Sequence, residues 1–263
     1  MTDTSAAATV RNERFILCEG YDDRAFWAAW LKRLGCKRAP GKTPIPGGRE
    51  FVYGPDGKEL PPGHFGYLSR NGAFLTLVPC YGKDNIPREL RLRLQQRDTK
   101  PIDRVVVNVD PDTPIDVGLG ASVAPIWNEI DAVVRFADAA AVARDDGQWD
   151  VGSTTVSLVC WGVEALTAPG IPDIQTLERL VCASIVQAYP GRGENVQQWL
   201  SSREAGPPAG PKHFAWSYYA GWFADHGTGD YYRCIWDDPN IAGPLEQHLR
   251  ASGAWAVAEA MAE

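Results

Sequence analysis

Four apolar runs of strand length, each followed by a segment with helical spacing, dominate the first 190 residues. The runs are RFILC (14–18), AFLTLVPC (73–80), VVVNV (105–109) and TTVSLVCWG (154–162). Continuous apolar runs of this length are typical of strands covered on both faces. A strand followed by a helix, repeated four times, predicts an α/β fold with a mainly parallel sheet flanked by helices.

The helices between these runs are predicted from their apolar spacing and their end signals. They are DDRAFWAAWLKRLGC, IPRELRLRLQQR, residues 121–144 and IQTLERLVCASIVQAYP. Asp22 or Asp23 is suited to cap the first of them, and Gly35 is suited to end it. Each helix is long enough to cross the sheet and return the chain for the next parallel strand.

The rest of the chain divides by composition. Residues 1–13 are predicted to be a flexible tail, and 14–190 the α/β domain. Within that domain, 37–72 are rich in Gly and Pro and are interpreted as an insertion with a hairpin around Pro55-Asp56-Gly57. Residues 191–263 are predicted to be a helical, aromatic-rich extension packed on the domain. Its aromatic cluster from Phe214 to Phe223 is interpreted as core, although base stacking is an alternative.

Composition narrows the classes of function. The net charge of −7 argues against a protein that coats nucleic acid, although a local basic surface is compatible with it. The six cysteines form no C-x-x-C pair and the four histidines no H-x-x-x-H spacing, so zinc and disulfide frameworks are not expected. No run is long enough to span a membrane, and the N-terminus lacks an apolar signal core, which predicts a cytoplasmic protein.

Acidic residues follow two of the predicted strands. Glu19 follows the first, and Asp110 and Asp112 follow the third. Because the carboxyl ends of parallel strands meet at one edge of a sheet, we expect these three side chains to converge. Along an extended segment, Asp110 and Asp112 would also point the same way. Like charges placed close together repel each other, which indicates that a divalent cation binds between them. Mg²⁺ or Mn²⁺ fits such a site. The alternative is that Asp-Pro-Asp is a simple turn and helix-entry signal.

Two of these segments resemble the motifs of TOPRIM domains. FILCEGYDDRAFW is similar to the first motif, a strand followed by Glu-Gly, and VVVNVDPDTP to the second, a strand that ends in Asp-x-Asp. CYGKDNIPREL resembles a Gly-Lys-Asp-Asn segment of the overcoming-lysogenisation-defect (OLD) type and stand-alone branch of nucleases. The resemblance covers roughly residues 14–182. The sequence departs from the family in the long separation of Glu19 from Asp110 and in the proline at 111.

The resemblance implies a compact α/β fold and Mg²⁺-dependent chemistry on phosphodiesters. It implies that Glu19, Asp110 and Asp112 ligate metal, with Glu178 as a further ligand and Lys212 as a charge stabiliser near the scissile phosphate. Gly20, Lys83 and Arg88 are predicted phosphate contacts. Residues 83–104 carry seven basic and four acidic side chains, although an arginine-rich helix is equally typical of a solvated surface.

The function predicted from these features is a Mg²⁺-dependent nuclease acting on DNA or RNA, in phage defence or nucleic-acid processing. A non-catalytic TOPRIM module that binds nucleic acid or protein is an alternative, and a nucleotide phosphatase or phosphotransferase is another. The expected partners are nucleic acid and no membrane. A homodimer, or a partner protein of a defence system, is compatible with the aromatic C-terminal region.

Overall fold

The computed structural model describes residues 12–42, 51–144, 147–163, 168–202, 204, 217 and 231–263. The strands are β1 Glu13–Cys18, β2 Lys37–Arg38, β3 Gly41–Lys42, β4 Phe51–Val52, β5 Phe65–Leu68, β6 Phe74–Pro79, β7 Ile102–Val109, β8 Val142–Arg144, β9 Gln148–Val151 and β10 Thr154–Cys160. The described α-helices are α1 Tyr21–Arg33, α2 Ile86–Gln96, α3 Leu119–Ala137, α4 Leu177–Ala188, α5 Gly191–Ser201, α6 Tyr231–Asp237, α7 Pro239–Ala251 and α8 Ala254–Ala262.

Eight strands form one mixed sheet in the order β2-β5-β6-β1-β7-β10-β9-β8. The four central strands are parallel, as β6-β1-β7-β10. The four outer pairings are antiparallel, so the prediction of a mainly parallel sheet is not confirmed. Short turns join β5 to β6 through 69–73 and β9 to β10 through 152–153, and a tight turn reverses the chain.

The predicted insertion supplies one margin of this sheet. Strands β2 and β5 both come from residues 37–72 and extend the sheet beyond β6. A turn around Gly72, whose φ of +87° suits glycine, joins β5 to β6. The predicted hairpin around Pro55 is present as a turn in which Tyr53 bridges Glu59. Residues 37–72 are therefore not only an insertion, because two of their strands extend the sheet.

The other margin differs from the helix predicted over 121–144. Helix α3 ends at Ala137, because Asp138 takes an extended conformation, and residues 142–144 form β8 instead. Strand β9 then pairs with β10 through a tight turn at Gly152, which has a φ of +61°. Trp149 of β9 is fully buried. Burial of this indole stabilises a short strand that its sequence alone does not reveal.

The two faces of the sheet have different cores. Alternate β1 residues enter each, with Ile16 and Cys18 on one side and Phe15 and Leu17 on the other. Helices α1 and α4 and the C-terminal helices cover the first face, which we call the tryptophan face after its buried indoles: Trp27, Trp30, Trp161, Trp236 and Trp255. Helices α2 and α3 cover the opposite, mainly aliphatic face, which we call the α2/α3 face.

The C-terminal helix is fastened to the sheet by polar contacts. The guanidinium of Arg14 in β1 donates to the carbonyl oxygens of Ala260 and Met261 at 3.1 and 3.0 Å, and it also pairs with Asp103. The backbone N–H of Arg70, between β5 and β6, donates to the carbonyl of Ala262 at 2.8 Å. The last turn of α8, whose carbonyls have no partner within the helix, is therefore satisfied by the sheet.

Helices α6 to α8 pack on α1 and α4, as Trp236 and Trp255 against Trp30 illustrate. The division into a tail, a domain over 14–190 and an extension over 191–263 stays a prediction. Among the described residues, no helix is both long and apolar enough to cross a bilayer.

Candidate functional site

A cleft of about 430 Å³ lies at the carboxyl ends of β1 and β7, where the amino termini of α1 and α4 meet them. Such edges of parallel strands commonly form binding sites in α/β proteins. The residues that line the cleft are Glu19, Gly20, Tyr21, Asp22, Asp23, Tyr81, Gly82, Asp110, Asp112, Thr176, Leu177 and Glu178. Six of these twelve are carboxylates, so the cleft is strongly acidic.

Glu19 and Asp110 lie side by side because their strands are neighbours. The β1–β7 register places Cys18 beside Asn108, so Glu19 lies one residue and Asp110 two residues beyond this pair at the same end of the sheet. The backbone N–H of Asp110 donates to Glu19 Oε2 at 3.3 Å. The convergence of these two residues, predicted from the sequence, is present. Their role as metal ligands stays a prediction.

Asp110 is held at the start of α4. Its Oδ1 accepts a hydrogen bond of 2.7 Å from the backbone N–H of Leu177, the first residue of that helix. Burial raises the pKa of Asp110 well above its ordinary value, and the nearby carboxylates of Asp23, Glu178, Glu19 and Asp112 raise it further. The anion of Asp110 is therefore unfavourable in the cleft unless a positive charge joins it.

Asp112 departs from the sequence prediction. Its φ of +56° lies in the left-handed region, so the segment after β7 is not extended. The backbone is turned by hydrogen bonds to the segment before α4, from Asp112 N to Gln175 O at 3.1 Å and from Gln175 N to Thr113 O at 2.8 Å. The argument that alternation points Asp110 and Asp112 the same way is therefore wrong, although both line the cleft.

Lys83 contacts this cluster through Asp112. Its ammonium pairs with Asp112 Oδ2 at 2.7 Å. Burial lowers the pKa of Lys83, but the hydrogen bond to Asp112 and the charges of Asp112, Glu19 and Asp110 outweigh it, and the net shift is upward. Lys83 was predicted to contact phosphate, and in this structure its partner is a carboxylate.

Asp23 also lines the cleft, although its place in the sequence predicts only a helix cap. Its side chain is buried and accepts from Trp161 Nε1 at 2.8 Å and from the backbone N–H of Gly20 at 3.0 Å. Burial raises the pKa of Asp23 to about 7 against these two hydrogen bonds, and the charges of Glu19 and Glu178 add to the rise. The sequence signal was an acid four residues after Glu19, in the first turn of a helix.

Glu178 lies in the first turn of α4 and is 6% exposed. Its charge acts on both Asp110 and Asp23, which places its carboxyl close to both. Thr176, at the cap position, accepts from the backbone N–H of Arg179 at 3.3 Å and so fixes the entry of the helix. The prediction that Glu178 joins the acidic group is consistent with this location.

The remaining predicted site residues have different locations. Gly20 lines the cleft, and its N–H is occupied by Asp23. Arg88 is exposed on α2 and, among the described residues, is not one of those that form the cleft. Lys212 lies outside the described residues. The stretch 83–104 is largely paired within the protein, for example Arg93 with Glu89 and Arg97 with Asp138.

Two exposed tyrosines form the rim of the cleft. Tyr21 and Tyr81 are 50% and 60% exposed, and their rings meet edge to face with centroids 5.5 Å apart. Tyr81 has a φ of +59°, which is uncommon for a residue other than glycine and is typical of functional loops. Glycine at position 63 leaves room for this pair, since a Cβ there would come within 3.0 Å of the Tyr81 hydroxyl.

The donor set of the cleft suits a hard divalent cation in its chemistry, since carboxylate oxygens are the preferred ligands of Mg²⁺. The buried anion of Asp110 would also gain from such a charge. Across the described ranges, however, no group of three or more His, Cys, Asp or Glu side chains is close enough together to hold an ion as arranged. Occupation would therefore require side-chain movement, for example the release of Asp112 from Lys83.

Comparisons with known proteins give a fold and no family. No protein-family model matches the chain, and no curated protein matches it. Among solved structures, it is similar to the crystal structure of a hypothetical protein from Pyrococcus horikoshii OT3, with a TM-score of 0.65 and 18% sequence identity over 96% of this chain and 100% of that one. At this identity the likeness shows a shared mixed α/β fold alone, and the resemblance to TOPRIM domains stays a prediction.

Proposed function

We propose that this protein is a Mg²⁺- or Mn²⁺-dependent nuclease that hydrolyses phosphodiester bonds in DNA or RNA. The observation that supports it most is that the carboxylate of Glu19 accepts a hydrogen bond from the backbone N–H of Asp110 on the neighbouring strand, and that both residues line a cleft with six carboxylates. Of the described residues that line the cleft, six are carboxylates and none is a lysine, arginine or histidine, so ion pairing within this lining does not balance their charge. Clusters of this kind are typical of functional sites.

In this proposal Glu19, Asp110 and Asp112 hold the metal, with Glu178 as a further ligand. A metal bound there would activate water and stabilise the charge on the leaving oxygen. The chain contributes orientation: the N–H of Leu177 fixes the carboxyl of Asp110 at 2.7 Å. Glu19 is the candidate general base.

Lys83 has a double role in the proposal. Its ion pair with Asp112 offsets part of the negative charge of the cleft. If Asp112 held a metal instead, the ammonium of Lys83 would be available to a phosphate oxygen of the substrate. Lys212 is a second candidate for that charge, on the ground of the TOPRIM resemblance alone.

The test is cleavage of single- and double-stranded DNA and RNA with Mg²⁺ or Mn²⁺, compared with EDTA. Asp110→Asn is expected to lose about 10³-fold or more in rate, since a metal in such a site contributes several kcal/mol and each 1.4 kcal/mol is tenfold. Asp116→Asn is the matched control, because Asp116 is exposed in the same connection and does not line the cleft. A wild type inert on all four substrates, or equal rates for the two variants, would overturn the proposal.

A non-catalytic module that binds nucleic acid is the second candidate. The observation in its favour is the Lys83–Asp112 pair at 2.7 Å, which neutralises one proposed ligand with the chain's own cation. This candidate predicts nucleic-acid binding without turnover, and binding that Asp110→Asn leaves unchanged. Turnover abolished by that substitution would exclude it.

A further inference from the structure

A second cavity, of about 240 Å³, lies between α1 and the β2–β5 margin of the sheet. We call it the basic pocket. Its described lining consists of Arg24, Ala25, Ala28, Ala29, Lys32, Arg38, Phe65, Tyr67 and Arg233. Four of these side chains are cationic and none is acidic, in a chain whose net charge is −7. Such a concentration of positive charge favours an anionic ligand.

The sequence of α1 creates the floor of this pocket. Ala25, Ala28 and Ala29 fall on one helix face at spacings of three and four, and their small side chains leave a groove. Lys32 follows on the same face one turn later and is exposed. Its ammonium makes no ion pair with a carboxylate in the part of the chain that the structure describes. A phosphate in the groove would therefore meet an available cation.

Arg24 joins the basic pocket to the acidic cleft. Its guanidinium donates to the carbonyl of Gly63 and lies over two rings, 4.0 Å from the centroid of Phe65 and 4.6 Å from that of Tyr21. Phe65 lines the basic pocket, and Tyr21 lines the acidic cleft. From Tyr21 to Lys32 the helix rises about 16 Å, at 1.5 Å per residue. A few nucleotides of an extended strand span such a distance.

We infer that a single-stranded nucleic acid lies along the exposed face of α1, with its phosphates in the basic pocket and its bases against Tyr21 and Tyr81, and enters the acidic cleft from there. A positively charged groove with adjacent exposed aromatic rings is the usual arrangement for single strands, because unpaired bases stack on such rings and paired bases do not. The inference rests on the proposed function, because the strand ends in the proposed nuclease site. It deepens that function by naming single-stranded nucleic acid as the substrate class.

The test is equilibrium binding in EDTA, so that cleavage plays no part. The probes are a fluorescein-labelled single strand of about 20 nucleotides and the duplex of the same sequence, titrated at several NaCl concentrations and followed by anisotropy. Lys32→Ala is expected to weaken single-strand binding several-fold and to reduce the slope of log K against log salt by about 0.7, the value for one phosphate contact. Tyr21→Leu is expected to weaken binding about fivefold or more without changing the slope.

Lys58→Ala is the matched control. Lys58 is exposed on the Pro55 hairpin and lines neither cavity, and its neighbour Asp56 lies 3.8 Å from Lys100 at the amino end of β7. Its expected binding and slope equal those of wild type. Because both lysines are exposed, thermal unfolding should confirm that both variants are folded.

Three results would overturn the inference: equal binding by Lys32→Ala and Lys58→Ala, duplex bound as tightly as the single strand, or a nucleoside triphosphate that displaces the strand at equal concentration. The last would mean that the pocket takes a small phosphate ligand. Binding that depends on Lys32 in a wild type without nuclease activity would refute only the proposed function. Cleavage of a single strand at full rate by Lys32→Ala, with unchanged binding, would refute only the inference.

Discussion

Two hydrogen bonds of the same kind and length lie on opposite faces of the sheet. On the tryptophan face, Trp161 Nε1 donates to Asp23 at 2.8 Å; on the α2/α3 face, Trp149 Nε1 donates to Asp131 at 2.8 Å. Asp131 also accepts from Arg135 at 2.8 Å, on the same helix. The charged neighbours of Asp23 include the carboxylates of Glu19 and Glu178.

The two carboxylates differ in how their charge is compensated. The carboxylate of Asp131 has an indole and a cation, so its charge is compensated locally. The carboxylate of Asp23 is buried beside like charges, which costs free energy and is retained in proteins mainly where a ligand or a reaction needs it. The tryptophan face therefore carries the cleft, while the α2/α3 face serves stability.

The largest expected effect concerns pH. The pKa of Asp23 is raised from 3.8 to about 7 in the folded protein, so the folded state retains a proton that the unfolded chain releases. Its contribution to stability is thus complete below pH 4 and is lost as the pH rises to 7. At 1.4 kcal/mol per pH unit, the free energy of unfolding of wild type should fall by about 4 kcal/mol relative to Asp23→Asn over this range. Urea denaturation at several pH values measures it.

Asp131→Asn provides the comparison for this measurement. Asp131 accepts the same kind of indole hydrogen bond as Asp23, so this variant shows how much of the change follows from the loss of that bond alone. A constant difference between wild type and Asp23→Asn over the whole range would contradict the contrast between the two sites.

The intermediate effect comes from removing each indole N–H. Trp161→Phe leaves a buried carboxylate with one hydrogen bond fewer, which costs about 1–3 kcal/mol. Trp149→Phe should cost less in hydrogen bonding, since Asp131 keeps Arg135. Both indoles are fully buried, so the loss of ring volume is similar in the two. Chemical denaturation at pH 8 compares them, and a larger loss for Trp149→Phe would count against the interpretation.

The smallest effect is expected from Arg135→Ala. The Arg135–Asp131 pair is four residues apart on a helix and the arginine is half exposed, so it contributes only about 0.3–0.5 kcal/mol. The loss should disappear in 1 M NaCl because exposed ion pairs are screened. Cleavage activity should be unchanged, and a reduced rate would mean that the α2/α3 face influences the cleft.

The central part of the site was predictable because its signals are local. Glu19 and Asp110 each end a buried apolar run, and neighbouring parallel strands bring such ends together. The direction of Asp112 was not predictable, since hydrogen bonds to Gln175, more than 60 residues away, set its backbone conformation. The burial of Asp23 likewise depends on Trp161, which is 138 residues further along the chain.

The margins of the sheet were missed for a different reason. Strand β2 has two residues and β8 has three, too short for alternation to appear in the sequence. The basic pocket also escaped the sequence analysis, because its cations come from α1, β2 and α6 and no continuous stretch of the chain is basic there. The arginine-rich stretch 83–104, by contrast, is continuous in sequence but largely paired within the protein.

The hydrogen bonds between β1 and α8 have a consequence for the folding of this protein during its synthesis. Arg14 is separated from its acceptors Ala260 and Met261 by 246 and 247 residues, so this contact forms only after synthesis has passed Met261. Until then, indoles such as Trp30, which Trp255 later covers, stay open to water and to other nascent chains. This protein should consequently be most prone to aggregate while it is being translated, and a chaperone that shields apolar surface should increase its yield.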